Sequence, residues 1–227
     1  MGVGNIRVID VKEGILADND LRAEQLRERL RTQSTFLLNL MASPGAGKTS
    51  LILRTIGALK DEFRLGVLEA DIESVVDSEK VATTGTPVIQ LRTGGFCHLD
   101  AFMVEEGLSA MDVDALDCII VENVGNLVCP AEFDTGAVKK AVILSVPEGD
   151  DKPLKYPLIF TVCDVVVVNK VDYLEGSDFD MRKFRERVLK LNPSAEIIEV
   201  SCKTGQGIDA WTSWLRKEIK SLLNDRL

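Results

Sequence analysis

An α/β fold built on a mostly parallel sheet of about seven strands, with helices on both faces, follows from three observations. Short apolar runs of β-type composition alternate with helical periodicities along most of the 227 residues, the pattern of parallel strands joined by helical crossovers. Runs such as Phe36–Met41 and the valine-rich Asp164–Val168 read as strands buried on both faces, as parallel sheets require. Polar residues with chemical potential (Asp71, Glu122, Asn169, Ser201) each close such a run, at the carboxyl ends of strands where ligands of open α/β sheets bind.

Taken in order, Met1 to Asn19 is weakly patterned. Asp20 to Arg31, with Leu21, Leu26 and Leu30 among arginines and glutamates, predicts an amphipathic helix capped by Asp18 or Asn19. Such a helix serves either as a loosely packed surface element or as a docking arm. The expected division is therefore an N-terminal arm and helix over 1–33 and a single domain over 34–227. Phe36–Met41 is the first strand. Ala42-Ser43-Pro44-Gly45-Ala46-Gly47-Lys48-Thr49 follows, and a helix begins at Ser50 and runs to about Lys60. This strand–loop–helix context is that of a phosphate-binding P-loop, so the fold is expected to be of the P-loop NTPase class. Glycines at 45 and 47 let backbone amides turn onto phosphate oxygens, and the helix N-terminus adds partial positive charge. Lys48 reaches the β- and γ-phosphates and Thr49 holds Mg²⁺. The expected phosphate-binding set is Gly45, Ala46, Gly47, Lys48, Thr49 and Ser50. Ala42 stands where the usual first glycine would be.

Leu65–Ala70 is the second strand and Ile72–Thr83 a helix. Pro87–Leu91 is a short strand running into Arg92–His98, followed by an apolar helix from about Leu99 to Leu108. Cys118–Val121 and Ala141–Val146 are further strands, the latter followed by a long loop from Pro147 to Pro157. Asp164–Val168 ends at Asn169. Arg182–Leu191 is a helix, Glu196–Val200 the last strand and Ile208–Leu223 the last helix.

The totals narrow the function. A net charge of −9 argues against a sequence-independent grip on nucleic acid or anionic membrane. No apolar run approaches the roughly 20 residues of a membrane span, and Met1–Glu13 lacks a signal-peptide core, so a cytoplasmic protein is expected. Five cysteines at irregular spacing do not form a disulfide framework.

Asp71 and Glu122 are the first carboxylates after buried strands, where an acid meets Mg²⁺ directly or through water. Lys48, Asp71 and Glu122 are the expected catalytic groups and Thr49, Asp71 and Glu122 the expected Mg²⁺ ligands. Glu122-Asn123-Val124-Gly125 has the form of a γ-phosphate-sensing loop, with the Gly125 amide on the phosphate. In Asn169-Lys170-Val171-Asp172, Asp172 accepts from guanine N1–H and its exocyclic amine. Adenine's N1 lone pair would repel that carboxylate, so GTP is selected over ATP. Asn169 braces the P-loop and the Lys170 stem stacks on the base. Ser201-Cys202-Lys203 fits the second base-contacting loop. No glutamine stands where one would orient the attacking water, so slow turnover is expected. Lys152 and Lys155 lie in a loop able to approach a nucleotide, and solvation is their other reading.

Cys97, His98 and Cys129 pose a metal question. Thiolate and imidazole suit Zn²⁺ or Ni²⁺, and Gly94-Gly95 supplies a turn for the adjacent pair. On spacing alone the trio fits equally two packed cysteines and a satisfied histidine. Cys118 and Cys163 read as core residues in strands.

The blocks Ser43–Thr49, Thr93–Ala101, Glu122–Ala131, Glu148–Pro157 and Asn169–Asp172 together resemble the hydrogenase nickel-incorporation GTPases, the HypB family, from about Leu37 to the end. The resemblance implies a GTPase that dimerises around GTP and assists nickel delivery to [NiFe]-hydrogenase. It implies Cys97, His98 and Cys129 as interfacial Ni²⁺ or Zn²⁺ ligands. It also implies a HypA-type nickel chaperone, docking on the N-terminal arm, and the hydrogenase large subunit as partners. The cysteine motif or histidine-rich tract that some members carry for nickel storage is absent from this sequence. Other readings are a urease accessory type, which carries Cys-Pro-His where this chain has Cys129-Pro130-Ala131, a metal-free interaction switch, and a partitioning-type ATPase.

Overall fold

The computed structural model of the protein describes residues 11–72 and 76–224. Seven strands form one sheet: β1 (Phe36–Ala42), β2 (Leu65–Asp71), β3 (Val88–Arg92), β4 (Cys118–Glu122), β5 (Lys139–Ser145), β6 (Val165–Asn169) and β7 (Glu196–Glu199). Their order is β3-β2-β4-β1-β5-β6-β7, and every pair is parallel. Each expected strand is present, and the sheet is wholly rather than mostly parallel.

The strand that feeds the P-loop is central. All seven residues of β1 are buried, because helices cover both faces. Alternation sends Phe36, Leu38 and Leu40 to one face and Leu37, Asn39 and Met41 to the other. The first face packs against α2 (Lys48–Leu59) and α9 (Ile208–Asn224), where Leu51, Ile52, Trp211 and Leu215 join the cluster. Trp211 and Trp214, the two tryptophans of the chain, are stacked with centroids 5.4 Å apart. The Trp211 indole N–H donates to Thr55 Oγ1 of α2 at 2.8 Å.

On the second face, Leu37 joins α1 (Val11–Gln33) and α4 (Ala101–Ser109). Met41 joins α7 (Pro157–Val162) and α8 (Met181–Leu191) through Phe160, Phe184 and Val188. Asn39 lies between these two clusters, a fully buried polar residue in an apolar strand. Three short helices complete the list: α3 (Val76–Ala82), α5 (Cys129–Glu132) and α6 (Lys152–Lys155).

Three expectations change. The N-terminal helix does not begin at Asp20 under a cap at Asp18 or Asn19. Both residues lie inside α1, and Asn19 points inward with 9% exposure. Ala23, Leu26 and Leu30 are buried at helical spacing, so α1 is part of the core rather than loosely packed. The segment Pro147–Pro157 is not a plain loop, because it holds α6 and the start of α7. Pro153 and Pro157 occupy first-turn positions, where the missing amide hydrogen has no helical partner to lose. Cys163 lies between α7 and β6 rather than in a strand, though it is buried as expected. The expected helix from Ile72 is seen from Val76, and residues 73–75 lie outside the described residues.

Candidate nucleotide site and metal centre

The loop after β1 turns through Gly45 (φ 76°) and Gly47 (φ 105°), left-handed conformations open to glycine. At Gly47 a Cβ would also stand 2.4 Å from Asn169 Nδ2, so a side chain is doubly excluded there. Asn169, 1% exposed, ties three loops together. Its Nδ2 donates to the Ala46 carbonyl at 2.9 Å. Its Oδ1 accepts from the amides of Lys170 at 2.8 Å and Cys202 at 3.2 Å. The bracing expected of Asn169 is therefore observed. Lys170 sits at φ 61° and its ammonium donates to the Gly45 carbonyl at 2.7 Å.

Asp172 accepts from the Ser201 hydroxyl at 2.6 Å, and the Lys203 ammonium lies 3.9 Å away. A cavity of about 360 Å³ is lined by Gly47, Ser50, Pro147, Asn169, Lys170, Asp172, Tyr173, Cys202 and Lys203, a volume in the range of small-molecule sites. Ser201 is fully buried and orients Asp172 from behind. Burial pushes the Cys202 thiol up to about 11, which leaves it a neutral packing group.

A second cavity adjoins the first across the P-loop. It holds Lys48, Glu69, Asp71, Asp77, Glu122 and Gly125, with Pro44 and Gly45 at its wall. Thr49 Oγ1 donates to Glu122 Oε1 at 2.9 Å. Glu122 is 3% exposed, and its Oε2 is buried without a hydrogen-bond partner. Burial raises its pKa from the ordinary 4.5 to about 7, opposed by the Lys48 charge and the Thr49 hydrogen bond. An orphaned buried carboxylate oxygen beside a P-loop threonine and lysine is the donor environment a Mg²⁺–phosphate group needs. Two acids that the sequence reading passed over join it. Oxygens of Glu69, Asp77 and Glu122 lie within 4.8 Å of one another. Desolvation raises Glu69 as well. The signal was present in β2, where Glu69 shares a strand face with Asp71 two residues on.

Gly125 closes the phosphate side. A Cβ there would meet Pro44 Cγ at 2.9 Å and its backbone N at 3.0 Å, so only glycine lets this loop lie on the P-loop. Glu148 holds the other rim. Its Oε2 accepts from the Ser145 amide at 2.7 Å and hydroxyl at 2.8 Å, and its Oε1 pairs with the Ser43 hydroxyl. Lys155 pairs with Asp151 at 2.5 Å and Lys152 lies over the Tyr156 ring.

Cys97, His98 and Cys129 converge, with all three donor atoms within 4.8 Å. The thiols are 3.1 Å apart and both cysteines are free. His98 stacks on Phe133 with centroids 4.0 Å apart, and its Nδ1 is buried without a partner. Desolvation lowers the His98 pKa, which favours the neutral imidazole that a metal requires. The donor set suits a borderline-soft ion such as Ni²⁺ or Zn²⁺. The hydrogen bond with Cys97, with desolvation, raises the Cys129 thiol, and burial holds the Cys163 thiol at about 12.

The two sites share a hinge residue. Asn123 is fully buried just past β4. Its Oδ1 accepts from the Leu99 amide at 3.1 Å and the Val124 amide at 2.9 Å, and its Nδ2 donates to Asn39 Oδ1 at 3.1 Å. Asn126 Nδ2 donates to the Cys97 carbonyl at 3.3 Å. Glu122 to Cys129 is thus one continuous segment, bonded at two points to the loop between β3 and α4 that carries Cys97 and His98.

A model of the CobW/HypB/UreG nucleotide-binding domain matches residues 36–199. The chain is 42% identical over 226 residues to the hydrogenase maturation factor HypB of Azotobacter vinelandii, covering all of this chain and 75% of that protein. A crystal structure of HypB from Helicobacter pylori in complex with nickel superposes with a TM-score of 0.85 at 36% identity, covering 90% of this chain and 96% of that one. HypB from Archaeoglobus fulgidus gives 0.83 at 40% identity, covering 89% and 99%. Among the described residues no helix is long and apolar enough to cross a membrane. With the P-loop, the Asn169–Asp172 loop and the Cys/His cluster all on one α/β sheet, the chain belongs to the HypB hydrogenase maturation factor family.

Proposed function

We propose that the protein is a GTP-hydrolysing metallochaperone that assists nickel insertion into [NiFe]-hydrogenase in the cytoplasm, with its nucleotide state controlling a Cys/His metal site. The observation that carries this reading is the continuity of the segment from Glu122 to Cys129, cross-bonded by Asn123 to the amide next to His98. In this reading the backbone of Gly45–Thr49 and the Lys48 ammonium hold the phosphates. Asp172 and the Ser201–Lys203 loop select guanine, and Gly125 senses the γ-phosphate. Thr49, Asp71 and Glu122 would hold Mg²⁺, which would supply charge neutralisation at the phosphates. Glu69 and Asp77, with oxygens within 4.8 Å of those of Glu122, would add negative charge beside it.

Nickel is cargo rather than a resident cofactor, and Zn²⁺ fits the same donors. Cys97, His98 and Cys129 hold it. The relative that crystallised with nickel supports that assignment. A loop that closes on the γ-phosphate and relaxes on hydrolysis moves Cys129 relative to Cys97 and His98. GTP promotes a homodimer, a HypA-type chaperone supplies nickel, and the hydrogenase large subunit receives it.

The test is metal titration together with oligomer mass in a non-hydrolysable GTP analogue and in GDP, for wild type and Cys129→Ala. Wild type should bind nickel with an affinity that differs between the two nucleotides, and Cys129→Ala should lose the binding. Equal affinities in both states, with dimerisation controlled, would overturn nucleotide control. Identical metal binding by wild type and Cys129→Ala would overturn the metal site.

A further inference from the structure

We infer that Asn19 of the N-terminal helix α1 is a positioning residue for the Cys/His metal site: one side-chain amide sets the spacing between the two segments that carry the ligands. Its Oδ1 accepts from the Ala101 amide at 2.9 Å, three residues beyond His98. Its Nδ2 donates to the Asp134 carbonyl at 2.9 Å, five residues beyond Cys129. The inference rests on the reading of Cys97, His98 and Cys129 as metal ligands, and goes beyond it by assigning their frame to an element remote in sequence.

The Ala101 amide opens α4, and first-turn amides have no partner within their helix. The α4 cap, Asp100, is committed to the Met103 amide at 2.8 Å. Ala101 is fully buried, so its N–H needs a protein acceptor, and Asn19 supplies it from another helix. At the other end, Asp134 follows Phe133, whose ring stacks on His98. Fixing the Asp134 carbonyl therefore fixes the platform under the imidazole. Arg27, two turns along α1, grips the same residue, with Nη2 on Asp134 Oδ2 at 2.8 Å and Nε on the Ala137 carbonyl at 3.2 Å. Two bonds of Asn19 and two of Arg27 thus hold the Cys129 side of the site against the His98 side. Outer partners that orient metal ligands change affinity when removed, even though they never touch the ion.

The experiment uses the full chain with Asn19→Ala and Asn19→Leu. Leucine has the same number and branching of side-chain heavy atoms as asparagine and keeps the site filled, but it makes neither hydrogen bond. Nickel affinity is measured by competition with a chromophoric chelator, and the nickel–thiolate absorption is recorded. Binding of a fluorescent GDP analogue reports folding and the distant site. Both variants should bind nickel about tenfold more weakly, with an altered nickel–thiolate band and unchanged GDP affinity. If Asn19→Leu binds nickel like wild type, or if nickel and GDP affinities fall together, the positioning role is overturned. A wild-type protein that binds no nickel overturns the metal reading as well. Hydrogen exchange on wild type supplies a check that needs no variant. Nickel loading should slow exchange at Ala101 and in α1 around Asn19 together, and an unchanged α1 would sink the proposal.

Discussion

Asn169, at the end of β6, and Asn123, just past the end of β4, are both buried to 1% exposure or less, and each makes three side-chain hydrogen bonds. Their consequences differ. Asn169 joins the P-loop, the Lys170 turn and the Cys202 loop, which all line one cavity. Its network closes on itself and makes the site rigid in advance. Asn123 joins the central strand, the loop after β4 and the segment after His98. Its network opens outward, so in the proposed reading a displacement beside the P-loop has a hydrogen-bonded route to the amide next to His98. The same side chain builds a fixed receptor in one place and a transmission in the other. The difference lies only in which elements it bridges.

The sharpest way to break this contrast is to truncate each asparagine. Asn169→Ala removes three buried bonds and leaves the Ala46 carbonyl and two amides without partners. At about 1 kcal/mol or more per orphaned group, GDP and GTP should bind roughly 100-fold more weakly, read by isothermal titration. An affinity within threefold of wild type would mean the loops hold themselves. Asn123→Ala should leave GDP affinity within about threefold. It should, however, bring the ratio of nickel affinities in the GTP-analogue and GDP states from about tenfold, a typical coupling, to near unity. Retention of the wild-type ratio would place the route elsewhere, in the Asn126 bond to Cys97 or the covalent chain itself.

The smallest effect concerns stability and tests whether the phosphate side is pre-built at a cost. Glu122 has a folded pKa raised to about 7 from the ordinary 4.5. Between those values the folded state holds a proton that the unfolded chain has lost. Stability from this group is therefore fully present below about pH 4.5 and falls as pH rises toward 7. Glu122→Gln should raise the unfolding free energy of the nucleotide-free protein by roughly 1–3 kcal/mol at pH 8. The gain should shrink toward zero at pH 5, measured by denaturant melts at both pH values. A pH-independent difference would show that Glu122 carries no such penalty.

What was legible in the sequence follows the same division. The nucleotide site is made of contiguous runs because its work is done by backbone amides in tight turns, and such turns need particular residues at fixed offsets. Gly45, Gly47, Lys48 and Thr49 could therefore be read directly, and so could Asn169 and Asp172. The ends of β2, β4 and β6 were legible because those runs stop at Asp71, Glu122 and Asn169. The frame of the metal site was not. The sequence predicts a cap at Asp18 or Asn19, since an Asp-Asn pair before a helical periodicity is the usual start signal. Asn19's real partners, Ala101 and Asp134, lie 82 and 115 residues away. Asn39 and Asn123 lie 84 residues apart, and no local pattern announces that two asparagines share a buried face. Glu69 was visible as a lone carboxylate in a buried strand, but its grouping with Asp77 and Glu122 depends on the β2–β4 pairing.

The stacked pair on α9 gives the molecule a built-in optical asymmetry. Both tryptophans of the chain pack on the face that faces α2, and Trp211 is bonded to Thr55, two turns along from the P-loop threonine. The sheet separates them from Cys97, His98 and Cys129. Intrinsic fluorescence therefore reports on the helix that follows the P-loop, whereas nickel–thiolate absorption reports on the opposite side of the sheet. Two colours of light, read on one unlabelled sample, can time the two halves of the cycle separately.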